Sequence, residues 1–261
     1  MKIIAIANQK GGVGKTTTAL NFGTGLAVAH KKKVLLIDLD PQANMTEYLG
    51  HDVDDSISMT DLLTNFVNKG TLDADMAKSA IFSNEKNGVD YIPADLSLAN
   101  TEQAMVTALS RETVLKRLLY SQKVFSNYDY IIIDTLPSLG VLMINALAAA
   151  DGIIIPSQTQ KFSADGLEAL INLMNQIKAA LNPNLTLYGI LPTMVDNTNV
   201  SKATSEKFKE EYAEFVFNTE IHRSIEAAKS AETGVALIKR ASKIGKDYLM
   251  FTSEFINKYE R

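Results

Sequence analysis

The sequence predicts a doubly wound α/β fold, in which a mainly parallel sheet has helices on both faces. Short apolar runs alternate along the chain with longer segments of helical periodicity, which is the pattern of βαβ units. The apolar runs are nearly continuous, as expected for strands that are covered on both sides. With 261 residues, of which 46% are hydrophobic and 21% charged, the chain can bury one sizeable core. We therefore predict a single domain over residues 1–261.

The predicted elements follow this alternation in order. A polar stretch over residues 52–127 is interpreted as a helical insertion with one weaker, peripheral strand at Tyr91–Ile92. Residues 164–181 have apolar side chains at helical spacing, and Asn182-Pro183 ends that helix. The buried strands are predicted at residues 3–7, 34–37, 130–133, 153–155 and 187–191.

Composition excludes several classes of function. Cysteine is absent, so disulfides, thiolate metal sites and cysteine-ligated iron–sulfur clusters are excluded. A net charge of −4 argues against a globally basic nucleic-acid binder, so any DNA contact must be regional. No run of about eighteen apolar residues and no secretory leader is present. We expect a soluble, cytoplasmic protein without a membrane partner.

The strongest motif is KGGVGKTT, which follows the first predicted strand and enters a helix that starts near Thr16. Glycines let successive backbone N–H groups point at phosphate oxygens, and the helix N-terminus favours the same anion. Lys15 would neutralise the β and γ phosphates, and the Thr16 hydroxyl would bind Mg²⁺. The alternative is a glycine turn without function, which the flanking strand and helix disfavour. The predicted nucleotide-binding residues are Lys10, Gly11, Gly12, Val13, Gly14, Lys15, Thr16 and Thr17.

The motif departs from the usual G-x-x-x-x-G-K-[ST] pattern. Gln9 occupies the position of the first glycine, and an extra lysine, Lys10, precedes the glycine pair. This arrangement defines the deviant Walker A class of P-loop ATPases.

Carboxylates follow two of the predicted strands, where a phosphate site needs them. Asp38 and Asp40 follow residues 34–37, and Asp134 follows residues 130–133. Such groups can hold the water shell of a metal ion and place an attacking water. Helix capping or a turn is the alternative interpretation. We predict Thr16, Asp38 and Asp134 as metal-linked residues. His30, His51 and His222 have no metal spacing and are interpreted as surface or capping residues.

Over nearly its full length, the chain resembles the ParA/Soj partition ATPases, which are relatives of the MinD septum-site ATPases. The segments DPQ and PSLG match ParA rather than MinD. The resemblance rests on NQKGGVGKTT (residues 8–17), VLLIDLDPQAN (34–44), YIIIDTLPSLG (130–140), INALAAAD (144–151) and ILPTMVD (190–196).

The resemblance implies a homodimer that sandwiches two ATP molecules, with Lys10 reaching the partner's nucleotide. It implies catalytic roles for Lys10 and Lys15, water placement by Asp40 and a Walker B role for Asp134. It also implies MgATP as cofactor and substrate, nonspecific DNA binding on the nucleoid, and a ParB-like centromere-binding protein that stimulates hydrolysis. Base contacts would come from a loop formed by Pro192, Thr193 and Met194.

Some family features are missing from this sequence. Thr135-Leu136-Pro137 replaces the common CPP, and residues 196–199 lack the arginine that often occurs there. No segment precedes the first strand that could form a helix-turn-helix, so we expect nonspecific rather than operator DNA binding. A solvated helix face is the alternative interpretation of the basic residues near the C-terminus. The candidate DNA contacts are Arg223, Lys229, Lys239, Arg240, Lys243 and Lys246.

Two rival functions share the predicted fold. A MinD-type membrane-positioning ATPase needs a basic amphipathic tail. Here the polar side of the last helical segment mixes Lys258 and Arg261 with Glu254 and Glu260, which favours a helix packed on the core. An ATP-dependent ligase or metal carrier is the other rival. Metal carriers of this superfamily use cysteines, and DPQ with PSLG is not a ligase signature.

Overall fold

The computed structural model describes residues 1–52, 56–158, 164–196, 198, 201, 203, 206, 210 and 212–260. Its centre is a seven-stranded sheet of order β3-β4-β2-β5-β1-β6-β7. β3 and β4 are antiparallel, and the other neighbouring strands are parallel. The predicted doubly wound, mainly parallel sheet is therefore confirmed. The strands are β1 (Lys2–Ile6), β2 (Val34–Leu39), β3 (Phe82–Asn84), β4 (Val89–Ile92), β5 (Tyr130–Thr135), β6 (Gly152–Gln158) and β7 (Thr186–Thr193).

The side chains of each central strand divide between two hydrophobic cores, one on each face of the sheet. In β1, Ile3 and Ala5 lie in one core, whereas Ile4 and Ile6 lie in the other, and all four are fully buried. This division follows from the two-residue period of a strand. Each buried isoleucine stabilises the fold by about 1.5–3 kcal/mol relative to an exposed one.

Helices cover both faces. Residues of α3 and of α5 to α8 line the first core, and residues of α1, α2 and α10 line the second. The helices are α1 (Lys15–His30), α2 (Asn44–Tyr48), α3 (Met59–Lys69), α4 (Ala74–Ser79), α5 (Leu98–Met105), α6 (Val114–Ser121), α7 (Val141–Ala149), α8 (Ala164–Ala180), α9 (Glu226–Thr233) and α10 (Lys243–Tyr259).

Close packing of α1 depends on two glycines. A Cβ on Gly23 would lie 2.5 Å from the Leu36 side chain, and one on Gly25 would lie 2.5 Å from Thr252 Oγ1 of α10. The Phe22 ring also contacts the rings of Phe251 and Phe255 in α10, with centroids 5.2 and 4.9 Å apart. Helix α1 is therefore held between the sheet and α10.

Several predicted boundaries were wrong. The strands predicted to end at residues 37 and 133 continue through Asp38 and Asp134, so these carboxylates lie inside paired strands. Pro192 and Thr193, predicted in a loop, belong to β7. β3 was not predicted, because its three residues include two polar ones and none is fully buried.

Two of the histidines that were interpreted as surface or capping residues are partly exposed and bond neighbouring side chains. His51 is half-buried, and its ring nitrogens lie 2.8 Å from the hydroxyls of Tyr91 and Ser56. The His222 ring bonds Asp247 Oδ2 at 2.9 Å.

The final helix packs on the core, as its mixed polar face predicted. Tyr248, Phe251 and Phe255 are buried, whereas Leu249 is 40% exposed. Phe255 contacts the rings of Phe22 and Tyr188. No helix among the described residues is both long and apolar enough to cross a membrane.

This packing predicts opposite outcomes for two apolar residues of α10. Phe255→Ala should lower the free energy of unfolding by about 3–5 kcal/mol, because it removes a buried ring and leaves a cavity. Leu249→Ala, the matched control, should cost less than about 1 kcal/mol. Urea denaturation measures both values. Equal costs would show that α10 is not anchored through Phe255.

Candidate nucleotide-binding site

The KGGVGKTT segment forms a loop between β1 and α1. Gly12 and Gly14 have φ of 71° and 89°, a region that disfavours side chains with a Cβ. A Cβ at Gly11, Gly12 or Gly14 would meet no heavy atom within 4 Å, so open space lies above the loop. Gly14 immediately precedes α1, whose first N–H groups face that space. The loop is therefore shaped to bind an anion.

Hydrogen bonds fix the loop from both sides. Asn8 Oδ1 accepts from Lys10 N at 2.9 Å, and Asn8 Nδ2 donates to Pro156 O at 2.7 Å. Thr193 Oγ1 donates to Val13 O at 2.9 Å. The cradle is thus held by β6 and β7 as well as by its own strand.

Lys15 is buried at the start of α1, and its Nζ donates to Lys10 O at 3.2 Å. Burial lowers the pKa of this ammonium, and the nearby charges of Asp134 and Asp40 partly oppose the shift. A phosphate group in the cradle would compensate the desolvated cation.

Asp134 is fully buried, and neither of its carboxylate oxygens has a hydrogen-bond partner in the described chain. Burial raises its pKa well above the ordinary value, and the charge of Asp38 raises it further, while Thr16 and Lys15 act in the opposite direction. Asp38 is the direct neighbour of Asp134 across β2 and β5. An unpartnered buried carboxylate is costly, so a bound cation fits this position.

Asp38 is held differently. Its Oδ2 accepts from Thr46 N and Thr46 Oγ1 at 3.0 and 2.7 Å, and its Oδ1 accepts from Asp40 N at 3.1 Å. Burial raises the pKa of Asp38 to about 6, although these bonds favour the ionised form. The geometry gives Asp134 more free acceptor capacity than Asp38, which also anchors the chain at α2.

Asp40 faces a cavity of about 600 Å³ next to the loop, a volume typical of small-molecule sites. Its Oδ1 accepts from Gln42 N at 2.9 Å, which fixes the carboxylate at the start of a turn. The cavity is lined by Gly11, Gly12, Gly14, Lys15, Thr16, Thr17, Asp40, Gln42, Asn44, Glu47, Tyr48, Pro137, Met194, Ala227, Ala231 and Glu232.

One wall of this cavity was not predicted from the sequence. Ala227, Ala231 and Glu232 belong to α9, which carries no nucleotide motif. A hydrogen bond between Tyr48 and Ser230 holds α9 against α2. Gln42 and Asn44 do fall within a segment that resembles the ParA pattern, and their polar side chains next to Asp40 were the available signal.

The remaining predicted nucleotide residues lie in two places. Met194, with φ 52°, lines the cavity, whereas Thr193 contacts the loop and Pro192 accepts a backbone bond from Ile221. Lys10 borders a separate, smaller recess with Asn8 and Ser157. Lys10 is not among the residues that line the cavity beside Lys15.

Metal binding by protein ligands alone has no support. Within the described ranges, no three His, Cys, Asp or Glu side chains are grouped to hold a metal ion. The predicted metal-linked groups at the site include the Thr16 hydroxyl and the oxygens of Asp134. This ligand set suits Mg²⁺, which keeps several waters and binds through one or two carboxylates and substrate phosphates.

Comparison with known proteins agrees with this geometry. A family model described as an AAA domain matches residues 1–187. The sporulation initiation inhibitor protein Soj of Bacillus subtilis is 41% identical over 91% of this chain and 90% of its own. The chain belongs to the ParA/Soj family of ATPases. The chromosome partitioning protein ParA of Caulobacter vibrioides is 35% identical over 90% of this chain and 85% of its own.

A solved structure extends the comparison beyond partition proteins. It is that of cobyrinic acid a,c-diamide synthase from Mycobacterium smegmatis with a bound ATP analogue and magnesium. Its TM-score is 0.83 at 32% identity, covering 100% of this chain and 97% of that one.

Four of the six predicted DNA-contact residues in this ParA/Soj chain already have ion-pair or hydrogen-bond partners. Arg223 pairs with Asp196 at 3.6 Å, and both Lys229 and Arg240 pair with Glu226, at 3.0 and 3.5 Å. Lys239 Nζ donates to a backbone carbonyl, that of Lys86.

Lys243 and Lys246 differ from these four residues. Both are exposed on the first turn of α10, and neither has a side-chain partner among the residues that the structure describes. They are the strongest of the six candidates.

The raised pKa of the buried Asp134 predicts that Asp134→Asn is more stable than wild type. Because its pKa is raised above the ordinary 3.8, the folded state holds the proton more tightly than the unfolded state. Wild-type stability should therefore fall as pH rises from about 4 through the folded pKa, by at most about 1.4 kcal/mol per pH unit. Asp134→Asn has no such penalty, so its advantage over wild type should grow with pH in nucleotide-free protein.

Urea denaturation at several pH values between 4 and 8 measures the difference in unfolding free energy between Asp134→Asn and wild type. Glu85→Gln, which alters an exposed carboxylate, should stay within about 0.5 kcal/mol of wild type at each pH. An Asp134→Asn curve parallel to that of wild type would contradict the assigned burial of an unpartnered carboxylate.

Proposed function

We propose that this chain is a DNA-partition ATPase that binds MgATP, dimerises on ATP and binds DNA nonspecifically. A centromere-binding partner protein would stimulate its hydrolysis of ATP. One observation carries the proposal: a glycine cradle with a buried Lys15 lies beside an unpartnered, buried Asp134. Both groups are desolvated, and MgATP would supply a phosphate for Lys15 and a metal ion for Asp134.

The residues of the site would bind different parts of MgATP. Backbone N–H groups of the loop and of the α1 N-terminus would bind phosphate oxygens, and Lys15 would contact the β and γ phosphates. Thr16 and Asp134 would hold Mg²⁺, which supplies neutralising charge to the phosphates. The bound ATP analogue and magnesium of the M. smegmatis neighbour support this assignment.

Asp40 is the best placed carboxylate for positioning the attacking water. It lines the cavity near Lys15, and Gln42 N fixes one of its oxygens. In phosphoryl transfer the protein acts mainly by positioning and electrostatic stabilisation. Asp40 would orient the water and accept its proton, while Lys15 stabilises charge on the transferring group.

Lys10 would complete the site of a second copy of the chain. It borders a small recess of its own and is not among the residues that line the cavity beside Lys15. A cation supplied by the partner stabilises the charge of the transition state, as an arginine finger does, so hydrolysis would depend on dimerisation. The partition role is supported by the names of Soj and ParA, and the core-packed α10 disfavours a membrane-positioning role.

The small-molecule rival has one specific observation in its favour, the synthase name of the M. smegmatis neighbour. The identity to Soj is 41%, compared with 32% for the synthase. DNA binding that requires ATP would separate the two functions, because a synthase has no use for it.

The two lysines of the loop predict different defects. Lys15→Ala should lose ATP binding, because it removes the cation that faces the phosphates. Lys10→Ala should bind ATP as a monomer but fail to dimerise, with a turnover loss on the order of 10³-fold or more. Equilibrium binding of a fluorescent ATP analogue, sedimentation and phosphate release measure the three steps.

Mixing the two variants provides the internal control. A mixed dimer contains one site with an intact Lys15 from the Lys10→Ala protomer and a Lys10 from the Lys15→Ala protomer. The mixture should hydrolyse ATP faster than the two separate variants combined. Normal dimerisation and turnover by Lys10→Ala alone would refute a role in trans.

DNA binding should depend on ATP, on salt and on Lys243 and Lys246. If a dimer makes six to ten phosphate contacts, affinity should fall by about 10³ to 10⁵ between 50 and 200 mM salt. Lys243→Glu with Lys246→Glu should abolish co-sedimentation with DNA while sparing ATP binding. The matched control, Lys69→Glu with Lys123→Glu, changes the net charge equally at exposed positions elsewhere.

If the Lys243→Glu, Lys246→Glu variant still bound DNA at low salt, the DNA-binding surface would not include these two lysines. Failure of the wild type to bind DNA in the presence of ATP would refute the partition function itself.

A further inference from the structure

The first two turns of α10 contact the helix that follows the nucleotide loop. Tyr248 OH lies 3.3 Å from Thr18 Oγ1, and both side chains are buried. Thr18 is in the first turn of α1, two residues after Thr16, and its N–H donates to Gly14 O at 2.9 Å. Thr18 therefore links the phosphate loop directly to α10.

A second set of contacts joins the same turns of α10 to the end of β7, which also borders the site. Asp247 Oδ2 accepts from His222 N at 3.1 Å and bonds His222 Nδ1 at 2.9 Å. The preceding residue, Ile221, donates to Pro192 O at 2.9 Å and accepts from Val195 N at 3.1 Å. Between those two residues, Met194 lines the cavity and Thr193 bonds the nucleotide loop at Val13.

These same turns present the two uncommitted lysines. Lys243 and Lys246 are exposed, and Asp247 and Tyr248 directly follow Lys246 on the buried side. A Cβ on Gly245 would lie 2.2 Å from Leu237 O, so the first turn is pressed against the preceding chain. The lysines and the two buried contacts therefore belong to one closely packed unit.

We propose that Asp247 and Tyr248 are positioning residues that couple nucleotide binding to DNA binding by Lys243 and Lys246. This inference rests on the proposed function. Phosphate binding pairs Lys15 and fixes the loop, which in turn fixes Thr18 and Thr193. These residues hold α10 through Tyr248 and, by way of His222, through Asp247. Nucleotide binding then orders the first turns of α10, so DNA binding no longer has to supply the free energy of ordering them.

Tyr248→Phe tests the coupling with the smallest change. It removes one hydroxyl, keeps the buried ring and leaves the charge next to Lys246 unaltered, which a change at Asp247 would not. The measured quantity is the ratio of DNA affinities with a nonhydrolysable ATP analogue and with ADP. Allosteric coupling commonly gives a ratio of about 5 to 150. We expect this ratio to fall at least fivefold in Tyr248→Phe, with binding of the analogue and dimerisation retained.

Tyr130→Phe is the matched control. The Tyr130 hydroxyl donates to Glu260, immediately after the far end of α10, so this variant also removes a tyrosine hydrogen bond at that helix. It lies at the start of β5, away from the nucleotide loop, and should keep the wild-type ratio. An equal fall in both variants would overturn the proposal, since general loosening of α10 would then explain it.

Thr18→Val supplies the second variant and a double-mutant cycle. Combined with Tyr248→Phe, it should reduce the ratio no further than either change alone, because both remove the same contact. Linkage also requires DNA to raise the affinity for the analogue by the same factor in wild type, and this gain should disappear in Tyr248→Phe. An unchanged ratio in Tyr248→Phe would overturn the coupling alone. Wild type that does not bind DNA with the analogue would overturn the partition function as well.

Discussion

A buried carboxylate whose oxygens have no hydrogen-bond partner among the described residues is the constraint around which this structure is organised. Asp134 lies inside the central sheet beside a second carboxylate, Asp38, and the nearby cation Lys15 is itself desolvated. In free energy this arrangement is unfavourable, and the two hydrophobic cores must offset it. Its chemical value is that a metal–phosphate ligand finds a desolvated cation and a desolvated carboxylate already in place.

The parts of the fold that could be predicted from the sequence are those that local patterns specify. The continuous apolar runs indicated five of the seven strands, β1, β2, β5, β6 and β7, because strands covered on both faces need apolar side chains throughout. The glycine loop was recognisable because its backbone conformation and its position between strand and helix are both encoded within ten residues. Asp134 was predicted to be metal-linked from its place after such a run, whereas its complete burial was visible only in the structure.

The features that were missed depend on contacts between distant segments. The alanines of α9 have no motif, and they line the cavity because Ser230 bonds Tyr48, 182 residues away in the chain. Arg240 and Lys229 looked like available cations, since Glu226 in the same stretch gave no sign that it would pair with both. His222 was interpreted as a surface or capping residue, and its partner, Asp247, follows only 25 positions later. Spacing alone cannot show such pairings.

The two glycines of α1 have a consequence for the order in which the protein is built. Glycine lowers helix stability by about 0.5–1 kcal/mol relative to alanine, so α1 gains little from its own sequence and depends on its neighbours. Its neighbours are strand β2, which follows closely, and α10, which is more than 200 residues later. While the chain is being synthesised, the glycine loop therefore leaves the ribosome first but stays without its supporting helix until the segment with α10 has emerged. A chain that lacks α10 would therefore have the glycine loop without the packing that supports the helix after it.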